Sequence, residues 1–440
     1  MNNQQINLIK NTKNFLSFFK GYNFFPYKDS IFYLATYSNF IGSYILNSLN
    51  KENKVSVFKN FSTVLKDILY SLNYINCKIY KKNNKFIYNK IVVTWAFKNN
   101  FEKDGSLNDR YLNINSKNLK KTMWFVIYLD KDIPFKVREN IVLLKAKTKK
   151  SFNIFKILKI LIGNFPFIFK SFKYYLALTS NYNYFSEIFL KKIGPFLNNQ
   201  VSHILMPFEG QPFQNRLIYF VKKKHKNIKT IGYIHSPPLA VPSNFIYKDY
   251  SPDKIILNGI DQKYCFNKIL GWKKKSIKIL PSFRFIKSKK KITNTIFLPL
   301  TVRKTNLIVD SLKFLDQNKF INLKNYKVKN HPAALFSKKN IQTINKINEI
   351  KKRLENKKNY SKINYLIFIG SSGGIVEALE RGSKVIQICE HPVFDFYSDK
   401  IWPSIKSSKL RNNVYLYTLK KRGRLINFGN KKKNLKKVFN

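Results

Sequence analysis

The chain has 440 residues, 44% of them apolar and 16% aromatic, which is enough to fill the cores of two or three domains. Three scattered cysteines without CxxC spacing argue against a disulfide framework and against a structural zinc site. The formal net charge of +59 has two interpretations. It indicates either a polyanionic partner or the codon bias of an AT-rich genome, which enriches Lys, Asn, Ile and Phe without any partner.

Apolar runs of strand length alternate with longer helix-like stretches, which predicts an α/β fold with mostly parallel sheets. The first series of predicted strands is SIFYLA near Ser30, KVSVF near Lys54, KIVVTW ending at Trp95, MWFVIYL ending at Leu129, HILMPF from His203, TIGYIH from Thr230 and KIILN from Lys254. The second series is TIFLPL from Thr295, NLKNYKVKNHP ending at Pro332, INYLIFIG ending at Gly370, KVIQI from Lys384 and NVYLYT from Asn413. A basic stretch with a proline, residues 280–294, predicts an interdomain linker. We therefore expect domains at 1–285 and 286–430, followed by a frayed basic tail at 431–440.

The most hydrophobic stretch, IFKILKILIGNFPFIFKSFKYYLAL at residues 154–178, is interrupted by four lysines and is therefore not predicted to span a membrane. Lysines beside Phe, Ile and Leu are typical of a segment in the headgroup region of an anionic membrane. A core helix with a charged outer face explains the pattern equally well. Residues 1–20 lack the continuous apolar core of a signal peptide.

The chain has only 15 glycines, and four of them fall within one short stretch: Gly370, Gly373, Gly374 and Gly382. The sequence LIFIGSSGGIVEALERG predicts a buried strand, a turn and a helix. Such a turn directs backbone N–H groups and the positive helix end into the crevice where open α/β sheets bind ligands. Ser371 and Ser372 add hydroxyl donors, so the predicted ligand is a phosphate. The alternative is that the glycines only permit a tight turn and that Ser372 caps the helix.

A second candidate group comes from neighbouring strands of the same domain. His331 directly follows an apparent strand and precedes Pro332, which is predicted to start a helix. Because the chain has only five histidines, one in this position predicts contact with a phosphate. Arg303 and Lys304, after the strand TIFLPL, are expected to add positive charge. Glu377, one turn into the helix after the glycines, either accepts hydrogen bonds from ribose hydroxyls or is a solvated helix residue.

The third group lies in the first domain, in MPFEGQPFQNRLIYF. Seven of the fifteen prolines fall between residues 207 and 281, so the loops of this region are stiffened. Glu209 leaves a strand beside Gly210 and Gln211, where a carboxylate can act as a general base toward a hydroxyl. Alternatively, Glu209 caps the following helix. His235 and Ser236 end the next strand and are predicted to help seat a ligand.

The order of these motifs resembles that of a known group of enzymes. FEG at 208–210, HP at 331–332 and SS at 371–372 resemble the motif set of bacterial sialyltransferases, and the capsule Kdo transferases look similar in the HP and serine elements. VVTWAFKNNFEKDGSLNDRYL at 92–112, FEGQPFQNRLIYF and ILPSFRF at 279–285 look like a broader family of bacterial surface-carbohydrate biosynthesis glycosyltransferases. The resemblance extends from about residue 91 to residue 402. It implies the glycosyltransferase B fold, in which two Rossmann-like domains face each other across a cleft.

The resemblance also implies roles for the motif residues. Glu209 would be the base that activates an acceptor hydroxyl, His331 would hold or protonate the nucleotide phosphate, and Ser371 and Ser372 would bind the same phosphate. Phe208 replaces the first member of the usual acidic pair, which leaves the donor open between a CMP-linked acidic sugar and a UDP- or GDP-sugar. The expected reaction is inverting and needs neither metal nor cofactor.

The resemblance, the cysteine usage and the basic segment at 154–178 together predict partners and a location. The expected partners are a nucleotide sugar, a lipid-linked saccharide acceptor and an anionic membrane surface. The expected location is the cytoplasm, in peripheral association with the inner membrane, and the expected process is capsule, lipopolysaccharide or other surface polysaccharide biosynthesis.

Two rival interpretations start from other features. Asp130 and Asp132 follow a strand with DxD spacing, which is typical of metal-dependent glycosyltransferases of the other main fold. The high basicity and the many aromatic residues are also compatible with a nucleic-acid-binding protein. The lysines are spread over all segments, however, and no RRM, KH or zinc pattern occurs, so no nucleic-acid partner is expected.

Overall fold

The computed structural model describes residues 2–18, 78–80, 86–145, single positions between 155 and 169, and residues 184–287, 294–334, 337–354, 364–429 and 436–439. The strands predicted near Ser30 and Lys54 lie outside the described residues. No helix in the described ranges is long and apolar enough to cross a bilayer.

The first domain is built on a large parallel sheet. The strands of this domain are β1 (Lys78–Tyr80), β2 (Lys90–Ala96), β3 (Asn108–Asp109), β4 (Ile114–Asn115), β5 (Thr122–Tyr128), β6 (Ile141–Lys145), β7 (His203–Pro207), β8 (Lys229–Tyr233), β9 (Lys254–Leu257), β10 (Ile277–Ile279) and β11 (Ser282–Ile286). Strands β3 and β4 pair with each other outside the main sheet. The main sheet has the order β1-β6-β5-β2-β7-β8-β9-β10, and all its pairs are parallel except β1 with β6. The seven parallel strands of this sheet are β2, β5, β6, β7, β8, β9 and β10. If they are renumbered 1 to 7 in chain order, they lie in the sheet as 3-2-1-4-5-6-7, and the first six positions match the Rossmann order. The strand order therefore reverses between β2 and β7.

The second domain has a smaller mixed sheet. Its strands are β12 (Thr295–Phe297), β13 (Lys327–Lys329), β14 (Tyr365–Ile369), β15 (Lys384–Ile388), β16 (Ile405–Arg411), β17 (Val414–Leu419) and β18 (Phe428–Gly429). The sheet order is β13-β12-β14-β15-β17-β16, with β13, β12, β14 and β15 parallel and the last two strands antiparallel. In chain order the parallel strands lie as 2-1-3-4, so the reversal falls between β12 and β14.

Helices connect these strands along the chain. They are α1 (Asn2–Phe18), α2 (Tyr184–Ile193), α3 (Pro212–Lys224), α4 (Ile260–Tyr264), α5 (Thr305–Gln317), α6 (Lys338–Arg353), α7 (Gly373–Glu380), α8 (Pro392–Asp395) and α9 (Lys436–Phe439). Short 3₁₀ turns complete several connections, including Pro332–Ala334, so Pro332 opens a single 3₁₀ turn and α6 begins only at Lys338.

Alternating residues along the strands fill separate cores on the two faces of each sheet. In β2, Ile91 and Val93 belong to one apolar cluster, whereas Val92 belongs to another on the opposite face. The first cluster continues without a break into the second domain, where it includes Phe368 and Trp402. The two α/β domains therefore share apolar contacts, and the predicted fold class of two facing Rossmann-like domains is confirmed.

Polar contacts also join the domains. The Tyr397 hydroxyl lies 3.1 Å from the carbonyl oxygen of Pro238 and 2.9 Å from that of Ser372, one in each domain. Trp402 Nε1 donates to the Ala240 carbonyl at 3.0 Å. Because Tyr397 and Trp402 are fully buried, these bonds form away from water and fix the two domains against each other.

The first and last helices of the described chain each pack on the domain that lies farther away in sequence. Gln5 Nε2, on α1, donates to the carbonyls of Val393 and Phe396 at 2.9 and 2.7 Å, so this helix packs on the second domain. At the other end, Val438 is buried in an apolar cluster of the first domain. The expectation that the basic tail is frayed is therefore wrong for α9, because its apolar side chains find a surface to cover.

The predicted linker at 280–294 contains a strand. Ser282–Ile286 forms β11, which pairs in parallel with β18 near the end of the chain. Tyr233, at the end of β8, helps to hold β11 in place, because its hydroxyl accepts a hydrogen bond of 2.9 Å from the Phe283 N–H. The stretch between the two sheets therefore contains a short strand at residues 282–286, and Arg284 and Phe285 of this strand form part of the cleft wall.

Candidate functional site

A cavity of about 440 Å³ lies between the two domains, within the size range of small-molecule sites. The first domain contributes Glu209, Ile234, Ser236, Pro237, Pro238, Leu239, Pro242, Asn244, Phe245, Gln262, Phe266, Arg284 and Phe285, and the second contributes His331, Ser372, Gly373, Gly374 and Glu377. Glu209 follows β7 and Ser372 follows β14, so each lies beside the point where the strand order of its sheet reverses. Parallel sheets open a crevice at these points because neighbouring connections leave in opposite directions.

Glu209 is held in place by its backbone and by its carboxylate. Its N–H donates to Gln214 Oε1 at 3.0 Å, and its carbonyl accepts a bond of 2.7 Å from Asn244 Nδ2. Its carboxylate lies 3.2 Å from His235 Nε2 and accepts a second bond from Gln211 Nε2. With 32% of its side chain exposed, Glu209 still faces the cavity.

The protonation of Glu209 is controlled by its neighbours. Burial acts to raise the pKa of this carboxyl group, but the hydrogen bond and charge of His235, together with Gln211 and Arg284, lower the pKa below the usual 4.5. Glu209 is therefore a carboxylate at neutral pH and is available to accept a proton. The contacts of its carboxylate do not include a helix N–H, so the alternative role as a helix cap is not observed; Gln211 occupies that position at the start of α3.

His235 lies behind Glu209, away from the cavity. Its ring is 2% exposed and meets the Tyr111 ring edge-on, with a centroid distance of 4.6 Å. Its Nδ1 atom is buried without a hydrogen-bond partner among the described residues. His235 was predicted to help seat a ligand; it contacts Glu209 and does not line the cavity, whereas the adjacent Ser236 does.

Gly210 and Gln211 also support Glu209 without lining the cavity. Gly210 has a φ of +70°, and a Cβ atom there would lie 2.6 Å from the Asn244 carbonyl oxygen, so only glycine fits. This close approach allows the chain to turn sharply between β7 and α3, which directs the Glu209 side chain into the cleft.

On the opposite wall, Ser372 is the N-cap of α7. Its hydroxyl accepts a hydrogen bond from the Gly374 N–H at 3.2 Å, and Gly373 and Gly374 occupy the first helical positions. The first N–H groups of a helix lack carbonyl partners one turn earlier, so a helix N-terminus is a candidate anion site. Because the Gly374 N–H already donates to Ser372, the Gly373 N–H is the candidate donor here. A Cβ atom on Gly373 would lie 3.1 Å from the Pro237 carbonyl oxygen, so the glycine allows the two domains to approach closely. Ser371, predicted to bind the same phosphate, does not line the cavity.

His331 is exposed at the cavity edge. Its N–H donates to the Asn330 side chain at 2.9 Å, and that side chain is itself held by the buried amide of Asn340 at 2.7 Å. Asn340 also donates to the Pro299 carbonyl at 2.8 Å, so it ties together the loops after β12 and β13. Pro332 turns away from the cavity and does not line it.

Three further predicted residues have other surroundings. Glu377 lines the cavity, but its Oε1 forms an ion pair of 2.9 Å with Arg381 one turn later in α7. Arg303 and Lys304 lie outside the cavity lining, and their backbone N–H groups donate to the buried Glu390 carboxylate at 2.7 and 2.6 Å. The structure thus brings together Glu209, Ser236, His331, Ser372, Gly373, Gly374 and Glu377 around one cavity.

Sequence reasoning missed Arg284, which lines the cavity from β11, and Tyr111, which lies beside it and beside His235. The signal for Arg284 was present in the ILPSFRF motif, but interpreting that stretch as a linker concealed it. The aspartates of the rival DxD motif lie elsewhere. Asp130 accepts a hydrogen bond from the Lys98 N–H, Asp132 lies in the same loop, and neither lines the cavity. Within the described residues, no group of three His, Cys, Asp or Glu side chains is arranged to hold a metal ion.

Comparisons with known proteins are sparse. No family model and no curated protein matches the chain. Among solved structures, the wall teichoic acid polymerase TagF soaked with CDPG is similar to 79% of this chain over 84% of its own length, with 12% sequence identity and a TM-score of 0.31. That TM-score is too low to support an assignment, so the fold class rests on the two sheets and the cleft between them.

Proposed function

We propose that this protein is a glycosyltransferase that moves a sugar from a nucleotide donor to an acceptor hydroxyl of a bacterial surface polymer. One observation carries the proposal. A single cavity has a carboxylate from the first domain on one wall and a helix N-terminus with a serine cap and a histidine from the second domain on the other. A transferase that bridges acceptor and donor needs this division, because the proton is taken from one side and the leaving phosphate is held on the other.

In the proposed reaction, Glu209 accepts the proton of the acceptor hydroxyl as its oxygen attacks the anomeric carbon. The bond from that carbon to the nucleotide phosphate breaks, and negative charge develops on the phosphate. The Gly373 N–H, the Ser372 hydroxyl and His331 stabilise this charge. Preorganised donors of this kind each contribute about 3 kcal/mol in enzymes that use them. Attack and departure on opposite sides of the sugar would invert its configuration, and the chain's own groups perform both steps.

The donor is proposed to be a CMP-linked sugar, with UDP- and GDP-sugars as the alternatives. A thermal-shift series with CMP, UDP, GDP and ADP tests this point, and the matching nucleotide should raise the melting temperature in proportion to RT ln(1 + [L]/Kd). Replacement of His331 by alanine should weaken binding of that nucleotide. If none of the four nucleotides stabilises the wild-type chain, the proposal is wrong.

The role of Glu209 has its own test. Glu209→Gln removes the base but keeps a side chain of the same shape, so transfer should fall by about 100-fold or more while donor affinity is retained. Glu349→Gln is the matched control, because it removes the same charge from an exposed site on α6. Normal turnover by Glu209→Gln would refute the assignment of the base.

We also propose that the protein works at an anionic membrane surface that carries a lipid-linked acceptor. The large apolar side chains that the structure describes within residues 154–178 are 44–83% exposed: Phe155, Leu158, Ile162, Phe165 and Phe169. Four lysines lie in the same segment, two near each end. Exposed apolar side chains favour the headgroup interpretation over a core helix, since a core helix would bury them.

Vesicle sedimentation tests this part of the proposal. The protein should pellet with vesicles that contain phosphatidylglycerol, pellet less with pure phosphatidylcholine, and lose binding in high salt. Replacing Phe155 and Phe169 by serine should weaken binding to anionic vesicles. Equal binding of both vesicle types, or no binding to either, would contradict a charge-driven membrane site.

A further inference from the structure

Arg284 occupies a fixed position on the cavity wall that carries Glu209. It lies in the middle of β11, whose backbone is held by β18 on one side and by the Tyr233 hydroxyl on the other. The side chain is exposed and lines the cavity. Its guanidinium carbon lies 6.0 Å from the Tyr111 ring centroid and 5.4 Å from that of Phe285. Two aromatic neighbours limit the directions in which the guanidinium can point.

Arg284 differs in charge from the other residues of the described cavity lining. Among the described residues that line the cavity, it is the sole Lys or Arg, although the chain contains 82 of them. Its guanidinium forms neither a hydrogen bond nor an ion pair with a described residue. Arg381, by contrast, is paired with Glu377 at 2.9 Å. The donors of Arg284 are therefore available to a bound molecule.

Arg284 and the proposed site of the leaving phosphate are contributed by different domains. The helix N-terminus capped by Ser372 belongs to the second domain, whereas Arg284 shares the first-domain wall with the proposed base. A cation beside Glu209 also lowers the pKa of that carboxyl group, so its charge acts on the part of the cavity where the saccharide would bind. A planar fork of N–H donors matches the two oxygens of a carboxylate or a phosphate.

We propose that Arg284 is a specificity-determining residue that binds a carboxylate or phosphate group of the saccharide, distinct from the nucleotide phosphate. The proposal rests on the proposed function for the identity of the ligand as a saccharide. The anionic group belongs either to the donor sugar or to the acceptor, and the same chemistry serves both.

Calorimetric titration of matched acidic and neutral probes separates these sources. For the donor, the probes are CMP-N-acetylneuraminate and its methyl ester, with CMP alone as the reference. For the acceptor, they are galacturonate with galactose, and glucose 6-phosphate with glucose. The variants are Arg284→Gln, which removes the charge, and Arg284→Lys, which keeps the charge but removes the fork. Arg411→Gln is the matched control, because Arg411 is an exposed arginine over the Phe314 ring, outside the cavity.

The wild-type protein should prefer at least one acidic probe over its neutral counterpart. This preference should fall roughly 10- to 100-fold in Arg284→Gln and less in Arg284→Lys, and it should persist in Arg411→Gln. CMP affinity should be the same in all four proteins. A preference for the acidic CMP-sugar assigns the anion to the donor, and a preference for an acidic monosaccharide assigns it to the acceptor.

Three results would overturn the proposal: equal binding of acidic and neutral probes by the wild-type protein, an undiminished preference in Arg284→Gln, or a loss of CMP affinity in that variant, which would make Arg284 a nucleotide-phosphate ligand. Failure of the proposed function gives a different pattern. In that case no nucleotide binds, whereas an Arg284-dependent preference for acidic monosaccharides persists.

Discussion

Replacing His235 by phenylalanine tests whether a buried histidine positions the proposed base. Phenylalanine preserves a ring in a site that is 2% exposed and keeps the edge-on contact with Tyr111. It removes the Nε2 atom that lies 3.2 Å from the Glu209 carboxylate. A hydrogen bond to a charged group contributes about 1.5–3 kcal/mol, so loss of orientation should lower kcat roughly 10- to 100-fold.

The pH profile distinguishes positioning from simple packing. The hydrogen bond and charge of His235 are the largest influences that lower the pKa of Glu209 against the opposing effect of burial. Without them the pKa of Glu209 rises. Because the base must be deprotonated, the acidic limb of kcat/KM in the His235→Phe variant should move to higher pH, while the wild-type limb lies below pH 4.5.

The assay is transfer measured from pH 3.5 to pH 8 for the wild type, His235→Phe and His235→Gln. Glutamine can still donate to the carboxylate, so it should restore part of the rate and move the limb back. If kcat falls in His235→Phe with no change in the acidic limb, His235 is a packing residue and the reasoning is refuted.

Three other substitutions each test one feature of the structure. Gly210→Ala should lower the free energy of unfolding by about 1–3 kcal/mol and reduce transfer, because the new Cβ atom would lie 2.6 Å from the Asn244 carbonyl oxygen at a φ of +70°. Urea denaturation measures this loss, and Gly194→Ala is the control, because no atom lies within 4 Å of a Cβ atom placed there. Tyr397→Phe should cost about 1–3 kcal/mol by removing the buried hydroxyl between two carbonyls of opposite domains, and an unchanged urea midpoint would show that this bridge does not hold the domains. Burial raises the pKa of Asp395 to about 7, so the wild type should lose stability as the pH rises from about 4 to 7, whereas Asp395→Asn should not. Parallel stability curves for these two proteins would contradict this.

Several strands that sequence patterns located are buried on both faces. The runs that became β2, β5, β7, β14 and β15 read as continuous apolar segments, as central parallel strands do. The antiparallel edge strand β16 was missed because its sequence, IKSSKLR, has one buried residue and mostly polar neighbours. Strand β11 was missed for a related reason. It pairs with β18 from the far end of the chain, and a local pattern carries no information on such a partner.

Some features of the candidate site were also predictable from the sequence, and others were not. His331 and Ser372 follow parallel strands of one sheet, whose carboxyl ends meet at one edge, so their association was predictable. Glu209 follows a strand of the other sheet, and only the family resemblance led us to expect it opposite them. What could not be predicted is which side chains behind that edge turn toward the cavity. His235 faces Glu209 instead of the ligand space, and Arg303 reaches Glu390 through its backbone. Both outcomes depend on contacts across loops that the sequence separates widely.

The distribution of charge shows why the high basicity does not define the site. A bias toward lysine adds cations where they are tolerated, on solvated surfaces, whereas a cleft tolerates a cation only if a ligand or a neighbour compensates it. The described cavity lining accordingly contains no lysine, one arginine and two glutamates. The proposed recognition there depends on a helix N-terminus, His331 and Arg284, which are features that lysine enrichment does not supply. The proposed attraction to an anionic surface and the proposed selection of a substrate therefore rest on separate features of the chain, and salt should weaken the first much more than the second.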